Sequence, residues 1–348
     1  MKIRTVAVGC LLLVAGLVVG MLLAGQLYKA TDLPTPASAS EALQQAIVDA
    51  GKPDVALRKL LVPQSADQWH SAIALRAESQ EVSLDELAAE LNVAITRDVI
   101  AGVAVHRVVP NDVILGKGLF IYIHGGAYVF GGGDASVPEG ALISARSGIA
   151  TISIDYRMPP DHPHPAAMTD VEMVYRELLK THDAANMGMG GTSAGGGLSM
   201  AAVHHFKTLG LPPPGALYLG TPWADLTKTG DTLFTMEGID RVLVTYDALL
   251  EAAALLYADG VDLKDPLLSP VYGDLVGFPA TYLVAGTRDM FLSDTARVHR
   301  KLRNAGVEAD LNVYEGLSHA EYAFVIDSPE HEATYRELAE FLRRHINE

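Results

Sequence analysis

The sequence predicts an α/β protein with a mostly parallel central sheet, helices on both faces and a helical cap. Three observations carry this. From about residue 118 onward, short apolar runs of the kind buried on both faces of a sheet alternate with helical stretches. The segment before them is helical and has no strands of its own. One later interval, 223–272, breaks the alternation. With 348 residues, 49% hydrophobic and 20% charged, the chain can bury a large core. A domain of about 250–300 residues already buries roughly three quarters of its surface, so one large domain with a modest appendage fits best.

The chain opens on an apolar run, Val6 to Gly25, without a charge. Lys2 and Arg4 precede it, and Lys29 and the stretch Leu33-Pro34-Thr35-Pro36 follow it. A run of about 20 apolar residues is long for the core of a signal peptide and just long enough to span a bilayer. Signal peptide and membrane anchor both stay open, and Ala37-Ser38-Ala39 offers small residues for cleavage. Residues 1–38 are therefore set apart from a folded domain at 39–348. The expected location is periplasmic, secreted or membrane-attached, with membrane association through this segment.

Glu41 to about Asn92 has helical spacing in Ala42-Leu43-Ile47-Val48 and in Leu84-Leu87-Ala88-Leu91, the latter opened by Ser83 as N-cap with Glu86 three residues on. Lacking strands, these helices are expected to form a cap over about 41–95. Val103 to Val109 reads as a strand, and Gly118 to Ile123 as a fully buried one. Further strands are expected at Ile149 to Ile154, Asn186 to Gly190, Ala216 to Leu219, Thr281 to Ala285 and Leu311 to Tyr314. Helices are expected at Val171 to Lys180, Ala194 to Lys207, Asp294 to Asn304 and His331 to Ile346. The interval 223–272 shows one clear helix, Tyr246 to Tyr257. An insertion there lies over the carboxyl edge of the sheet, where open α/β sheets bind ligands, and supplies the second part of the cap.

Twenty-six basic against 42 acidic residues leave a net charge of −16, with no lysine- or arginine-rich run in the body of the chain. That excludes nucleic acid as a natural partner, because phosphate binding needs a basic face. The single cysteine, Cys10, rules out an intramolecular disulfide, a redox pair or a cysteine zinc site. None of the histidines fall in a His-Glu-x-x-His arrangement, and His204 and His205 point to different sides of their helix. No metal or cofactor is called for.

Gly191-Thr192-Ser193-Ala194-Gly195 fits Gly-x-Ser-x-Gly, the sharp strand-to-helix turn that exposes a serine hydroxyl. Alone the pattern is weak, but here a helix follows it and a short glycine-rich strand precedes it. His124-Gly125-Gly126-Ala127-Tyr128 comes directly after a buried strand. Glycines there let bare N–H groups approach a substrate oxygen, as an oxyanion hole requires. Order and spacing suit a single acyl-transfer site.

A serine of ordinary acidity is a poor nucleophile and needs a histidine base oriented by an acid. Where the serine sits on this kind of turn, acid and then histidine follow in the chain. Asp289 lies in Gly286-Thr287-Arg288-Asp289, just past an apolar strand, and His319 in Gly316-Leu317-Ser318-His319, past the last one. Asp294 competes as acid but has a structural role as N-cap of the next helix. His299 and His331 fall within helical patterns and are expected to face solvent.

With these residues the chain resembles the bacterial hormone-sensitive-lipase-like (family IV) esterases of the α/β-hydrolase superfamily over roughly 41–345. The resemblance rests on the 124–128 motif, on Asp155-Tyr156-Arg157 running to His162-Pro163-His164-Pro165-Ala166-Ala167, and on Gly191-Thr192-Ser193-Ala194-Gly195-Gly196. Asp265-Pro266-Leu267-Leu268-Ser269-Pro270, Gly286-Thr287-Arg288-Asp289 and Ser318-His319 complete it. It implies an α/β-hydrolase fold and a carboxylic ester hydrolase for short to medium acyl esters or lactones. Ser193 is then the nucleophile, His319 the base, Asp289 the orienting acid, and the N–H groups of Gly125, Gly126 and Ala194 the oxyanion donors. Members often dimerise and need no cofactor. Two positions depart from the pattern: Thr192 stands where many members carry aspartate, although a Gly-Thr-Ser-Ala-Gly branch exists, and Ala127 replaces a third glycine. The 156–167 segment reads as a proline-stiffened brace.

A serine amidase or peptidase can use the same triad, and a non-catalytic binding protein can use the same fold but would be expected to have lost the triad. Trp223, Phe234, Met236 and Phe291 are apolar candidates for the substrate pockets.

Overall fold

The computed structural model describes residues 33–112 and 116–346. The apolar run 6–25 lies outside them. Among the described residues no helix is long and apolar enough to cross a membrane. The compact unit that contains the fold begins at Thr35. Ala39 is buried and Ser40 hydrogen-bonds Glu330, so packing starts at the edge of the expected linker.

Eight strands form one sheet in the order β1-β2-β4-β3-β5-β6-β7-β8. They are β1 (Val93–Ile100), β2 (Val103–Pro110), β3 (Leu119–Ile123), β4 (Ala150–Ile154), β5 (Met187–Thr192), β6 (Ala216–Gly220), β7 (Ala280–Gly286) and β8 (Ala309–Tyr314). β1, β2 and β4 pair antiparallel, and β4 through β8 pair in parallel. All five residues of β3 are buried. Such a run needs cover on both faces, each buried side chain contributing about 1.5–3 kcal/mol.

The alternation of side chains along the strands separates two cores. Ile121, Ile123, Leu217, Leu219 and Leu283 face one core, which also takes residues of α6 (Ala166–Leu178), α7 (Ala194–Thr208) and α10 (Leu292–Asn304). Phe120, Tyr122, Tyr218, Tyr282 and Val284 face the other, shared with α5 (Pro138–Ser147) and α12 (Pro329–Ile346).

The region expected to be a single N-terminal cap divides in three. Leu43 and Ile47 of α1 (Glu41–Ala50) join the core of α5 and α12. Leu84, Leu87 and Leu91 of α4 (Leu84–Leu91) pack on Val93 and Val108, and Ser83 Oγ caps that helix by accepting from Glu86 N. Residues 93–95 belong to β1, an edge strand with only its two end residues buried. Only α2 (Val55–Leu60) and α3 (Ala66–Ser79) keep company with the later insertion and the 124–130 loop. Lys59 pairs with Glu237 and Asp247, and the Trp69 ring lies 6.3 Å from that of Phe130.

The insertion has no strand, as expected, but its helix is interrupted. Asp247 and Ala248 leave helical geometry, and the regular helix α9 spans only Glu251–Ala258, beyond α8 (Thr232–Thr235). Tyr246 OH donating to Leu226 O at 2.6 Å, and Lys59 and Lys228 on Asp247, hold the chain in the kink.

Candidate active site

The candidate residues converge on the carboxyl edge of the parallel strands. His124 follows β3, Ser193 follows β5, Asp289 follows β7 and His319 follows β8. Thr221, directly after β6, joins them.

Ser193 sits between β5 and α7 with φ 61° and ψ −123°, a conformation that a non-glycine residue adopts only at a cost of about 1–3 kcal/mol. Its side chain caps none of the N–H groups of α7 and stays available. The flanking glycines are forced by close approach: a Cβ on Gly191 or Gly195 would stand 1.8 Å or 1.9 Å from the Ile123 carbonyl oxygen. Gly125 lies against the serine, since a Cβ there would be 3.4 Å from Ser193 Cβ. Gly126 has φ 107°, and its carbonyl accepts from Val129 N and Phe130 N at 3.0 and 2.8 Å. The N–H groups of Gly125, Gly126 and Ala194 have no protein acceptor among the described residues. These donors and the N-terminus of α7 suit an anionic oxygen by their chemistry.

His319 Nδ1 lies 3.2 Å from Asp289 Oδ1, and both groups are buried. An ionised carboxylate only accepts, so this contact favours the imidazole proton on Nδ1 and a bare Nε2, which is chemically able to take a proton. Asp289 Oδ1 accepts from Phe291 N at 2.7 Å, and Thr221 Oγ1 donates to Oδ2 while lying 3.3 Å from His319 Nδ1. Ser193 N–H donates to Gly220 O at 2.8 Å, one residue before Thr221, which ties the Ser193 turn to the Asp289–His319 pair. Burial lowers the His319 pKa, but the charge and hydrogen bond of Asp289, with the charge of Asp240, outweigh it and raise the net value. The Phe291 ring meets His319 edge-on at 4.9 Å.

Three expectations are corrected. Asp294 is no N-cap: α10 begins at Leu292, and buried Asp294 accepts from Ala224 N and Asp225 N at 3.2 and 2.9 Å, pinning the insertion away from the histidine. Burial and the charge of Asp225 push its pKa far above the usual carboxylate range. His331 does not face solvent, because its Nδ1 bonds Tyr322 O at 2.8 Å and its ring packs on Tyr335. His299 is half-buried rather than exposed. Of the apolar candidates, Trp223 and Phe291 are buried and stack at 5.5 Å. Met236 packs at the margin of the core, and Phe234 is 57% exposed with Lys228 over its ring.

The brace at 156–167 is visible. Tyr156 stacks on His124 at 4.1 Å and donates to His124 O at 2.9 Å, while Arg157 chelates Asp170 through its backbone N–H and guanidinium. Burial pushes the His124 pKa down to about 4, so the imidazole is neutral and its Nδ1–H donates to Gly125 O at 2.7 Å. This steadies the peptide that carries the Gly125 and Gly126 N–H groups.

Thr192 has an unforeseen partner. Its Oγ1 donates to Glu139 Oε1 at 2.7 Å, and Tyr218 and Tyr335 hydroxyls reach the same oxygen at 2.8 and 3.1 Å. Tyr122 reaches Oε2 at 2.8 Å, and Tyr322 lies 2.9 Å from Thr192 Oγ1. A carboxylate from α5 is thus brought to the residue before Ser193. Sequence reading also missed Thr221, which only its place after β6 could have flagged, and Asp240 and Arg241, which lie in irregular chain.

Among the described residues no cluster of His, Cys, Asp or Glu could hold a metal ion. Residues 120–323 match the family described as alpha/beta hydrolase fold. The chain is similar to an acetyl-hydrolase of Streptomyces hygroscopicus, 30% identical over 224 residues that cover 64% of this chain and 74% of the relative. Among solved structures it is similar to esterase E25, 47% identical with a TM-score of 0.87 over 90% of this chain and 96% of the other. It is also similar to an esterase from the bacterial hormone-sensitive lipase family, 29% identical with a TM-score of 0.70 over 82% and 99% of the two chains.

Proposed function

The chain belongs to the α/β-hydrolase fold family, among its bacterial hormone-sensitive-lipase-like esterases, and from that premise we propose that it hydrolyses short to medium acyl esters or lactones with Ser193, His319 and Asp289 as its triad. The observation that carries this reading is the buried Asp289–His319 hydrogen bond on the same sheet edge as a strained Ser193 whose side chain caps no N–H of α7.

His319 Nε2 takes the Ser193 hydroxyl proton as Oγ attacks the ester carbonyl. The carbonyl oxygen becomes an oxyanion against Gly125, Gly126 and Ala194 N–H, and the imidazolium rests on Asp289. Collapse of this intermediate breaks the acyl–oxygen bond, and His319 returns the proton to the departing alcohol. Water repeats the sequence on the acyl-enzyme and releases the acid. For a lactone the alcohol stays attached to the acyl group. The name of the Streptomyces relative, acetyl-hydrolase, supports the short end of the acyl range.

The test is hydrolysis of p-nitrophenyl esters from acetyl to dodecanoyl by the full-length chain with Ser193→Ala beside it. Loss on the order of 10⁶ in kcat is expected for the variant. Retention of more than a few per cent would sink the assignment of Ser193. Folded wild-type protein that ignores esters and lactones but cleaves amides would move the reading to an amidase. The charge-free run 6–25 supports export or membrane anchoring, checked by cell fractionation of the chain with and without residues 1–32.

A further inference from the structure

Asp240 and Arg241 are neighbours in the insertion, and each side chain leaves it for a different triad loop. Asp240 is fully buried, and its Oδ2 accepts from the N–H of Met290, the residue after the proposed acid, at 2.9 Å. Its Oδ1 accepts from Val242 N and Leu243 N at 2.9 and 3.0 Å, which fixes the carboxylate on its own loop. Arg241 turns to the histidine loop. Its backbone N–H donates to Ser318 Oγ at 3.1 Å, its Nε to Glu321 Oε1 at 2.8 Å and a terminal nitrogen to Gly316 O at 3.0 Å. Glu321 in turn accepts from Ser318 N at 2.7 Å. The Arg241 and Glu321 side chains are only 5% and 9% exposed, so this ion pair is made inside the protein.

The segment that carries the two residues is rigid by its own bonds. Asp240 N donates to Met236 O at 2.9 Å, Gly238 N to Val244 O at 2.8 Å and Thr245 Oγ1 to Glu237 Oε1 at 2.6 Å. Glu237 is also the partner of Lys59 on α2, so the N-terminal part of the cap is attached to the same segment.

We infer that Asp240 and Arg241 are positioning residues through which the cap holds the acid and histidine loops in register, Asp240 also adding a second negative charge beside His319. The inference rests on the proposed triad. The groups that face His319 are Asp289 and Asp240 as charges, with the Phe291 ring against its edge. Around Asp289 stand Thr221, Asp240 and Tyr322, the last kept protonated by burial. Behind the histidine loop lie the Arg241–Glu321 pair, Arg288 and Glu315. Burial and then the charge of Asp289 push the Asp240 pKa up to about 6, while His319 favours its ionised form. Above that pH Asp240 is an anion and stabilises the imidazolium. Removing this charge lowers the pKa of His319, and the acid limb of the kcat/KM profile then moves to lower pH, because only neutral His319 can accept the serine proton.

The experiment compares full-length wild type, Asp240→Asn and the double variant R241Q/E321Q on p-nitrophenyl butyrate across pH, with rates expressed per folded chain by circular dichroism. In both variants kcat is expected to fall on the order of 10- to 100-fold with KM within about threefold, as slight misplacement of reacting groups produces. The acid limb is expected to move to lower pH in D240N and to stay in R241Q/E321Q. If D240N does not fold, Asp240→Glu replaces it. That variant keeps the charge and spoils the reach, so it is to lower kcat with the limb unmoved. A kcat within threefold of wild type in either arm, or a limb in D240N that matches wild type, overturns the inference. If Ser193→Ala stays active the triad reading itself has failed. If Ser193→Ala is dead and these variants are not impaired, only the inference has.

Discussion

Ser193 and the 124–130 loop are placed chiefly by backbone, with Tyr156 bracing His124, whereas Asp289 and His319 are placed by side chains that arrive from elsewhere. On the nucleophile side, a strained residue lies between β5 and α7, and two flanking glycines press on one carbonyl. On the acid–base side, Asp289 leans on Thr221 and on the N–H of Phe291, and its loop is held by Asp240 across 50 residues. The difference teaches what each half tolerates. A half built from backbone is sensitive to any added atom. A half built from side chains is sensitive to loss of charge and of hydrogen bonds.

The largest test of the comparison is Asp289→Asn. The amide is nearly isosteric, so the backbone of the loop is expected to stay. The proton on Nδ1 then loses its anionic partner and the wrong tautomer is favoured, which lowers kcat on the order of 10⁴-fold. Steady-state kinetics with melting curves checks it. A loss under tenfold at unchanged stability would show that Asp240 can orient His319 unaided, and the two halves would be less unlike than the geometry says.

A smaller effect is expected from Gly126→Ala on the other side. An added Cβ would meet Phe130 O at 2.1 Å, and φ 107° is already unfavourable for alanine. The turn must open, and removing one aligned donor costs about 10²–10³ in kcat. Little change in KM is expected, because the donor acts on charge that appears in the transition state. If instead KM rises with kcat intact, the loop binds substrate rather than stabilising an oxyanion.

The same contrast explains what was legible in the sequence. Gly191, Gly195, Gly125 and Gly126 are residue types that close approach or local backbone geometry demands, so the pattern that frames Ser193 and the geometry are one fact. Asp289 and His319 were found through chain order after strands, which the topology of a parallel sheet fixes at one edge. Asp240 had no such signal: it is one acid in a strandless stretch without periodicity, and only packing brings it to Met290. β1 escaped for a related reason, since an edge strand with exposed Thr96 and Arg97 lacks the apolar run that marked β3. His331 was misread because a helical pattern does not say what a neighbouring element covers, and here Tyr322 and Tyr335 cover it.

Glu139→Gln is the mildest of these tests and probes the comparison where it is weakest, for the Glu139 cluster is a side-chain network beneath the backbone-built half. Oε1 accepts three hydroxyls and Oε2 one, all charge-assisted. Burial, with the added charge of Glu139, keeps Tyr122, Tyr218 and Tyr335 protonated and therefore donating. A glutamine can keep its oxygen where three hydroxyls meet and turn its amide toward Tyr122, whose hydroxyl rotates to accept. What is lost is charge assistance, and about 1–3 kcal/mol of stability is expected to go with it in urea unfolding. The Thr192 backbone stays fixed by its pairing with Gly220 between β5 and β6, so kcat is expected to fall less than about tenfold. A much larger rate loss at undiminished stability would mean that the Glu139 charge reaches the chemistry of Ser193. The nucleophile side would then depend on a distant side chain just as the acid side does.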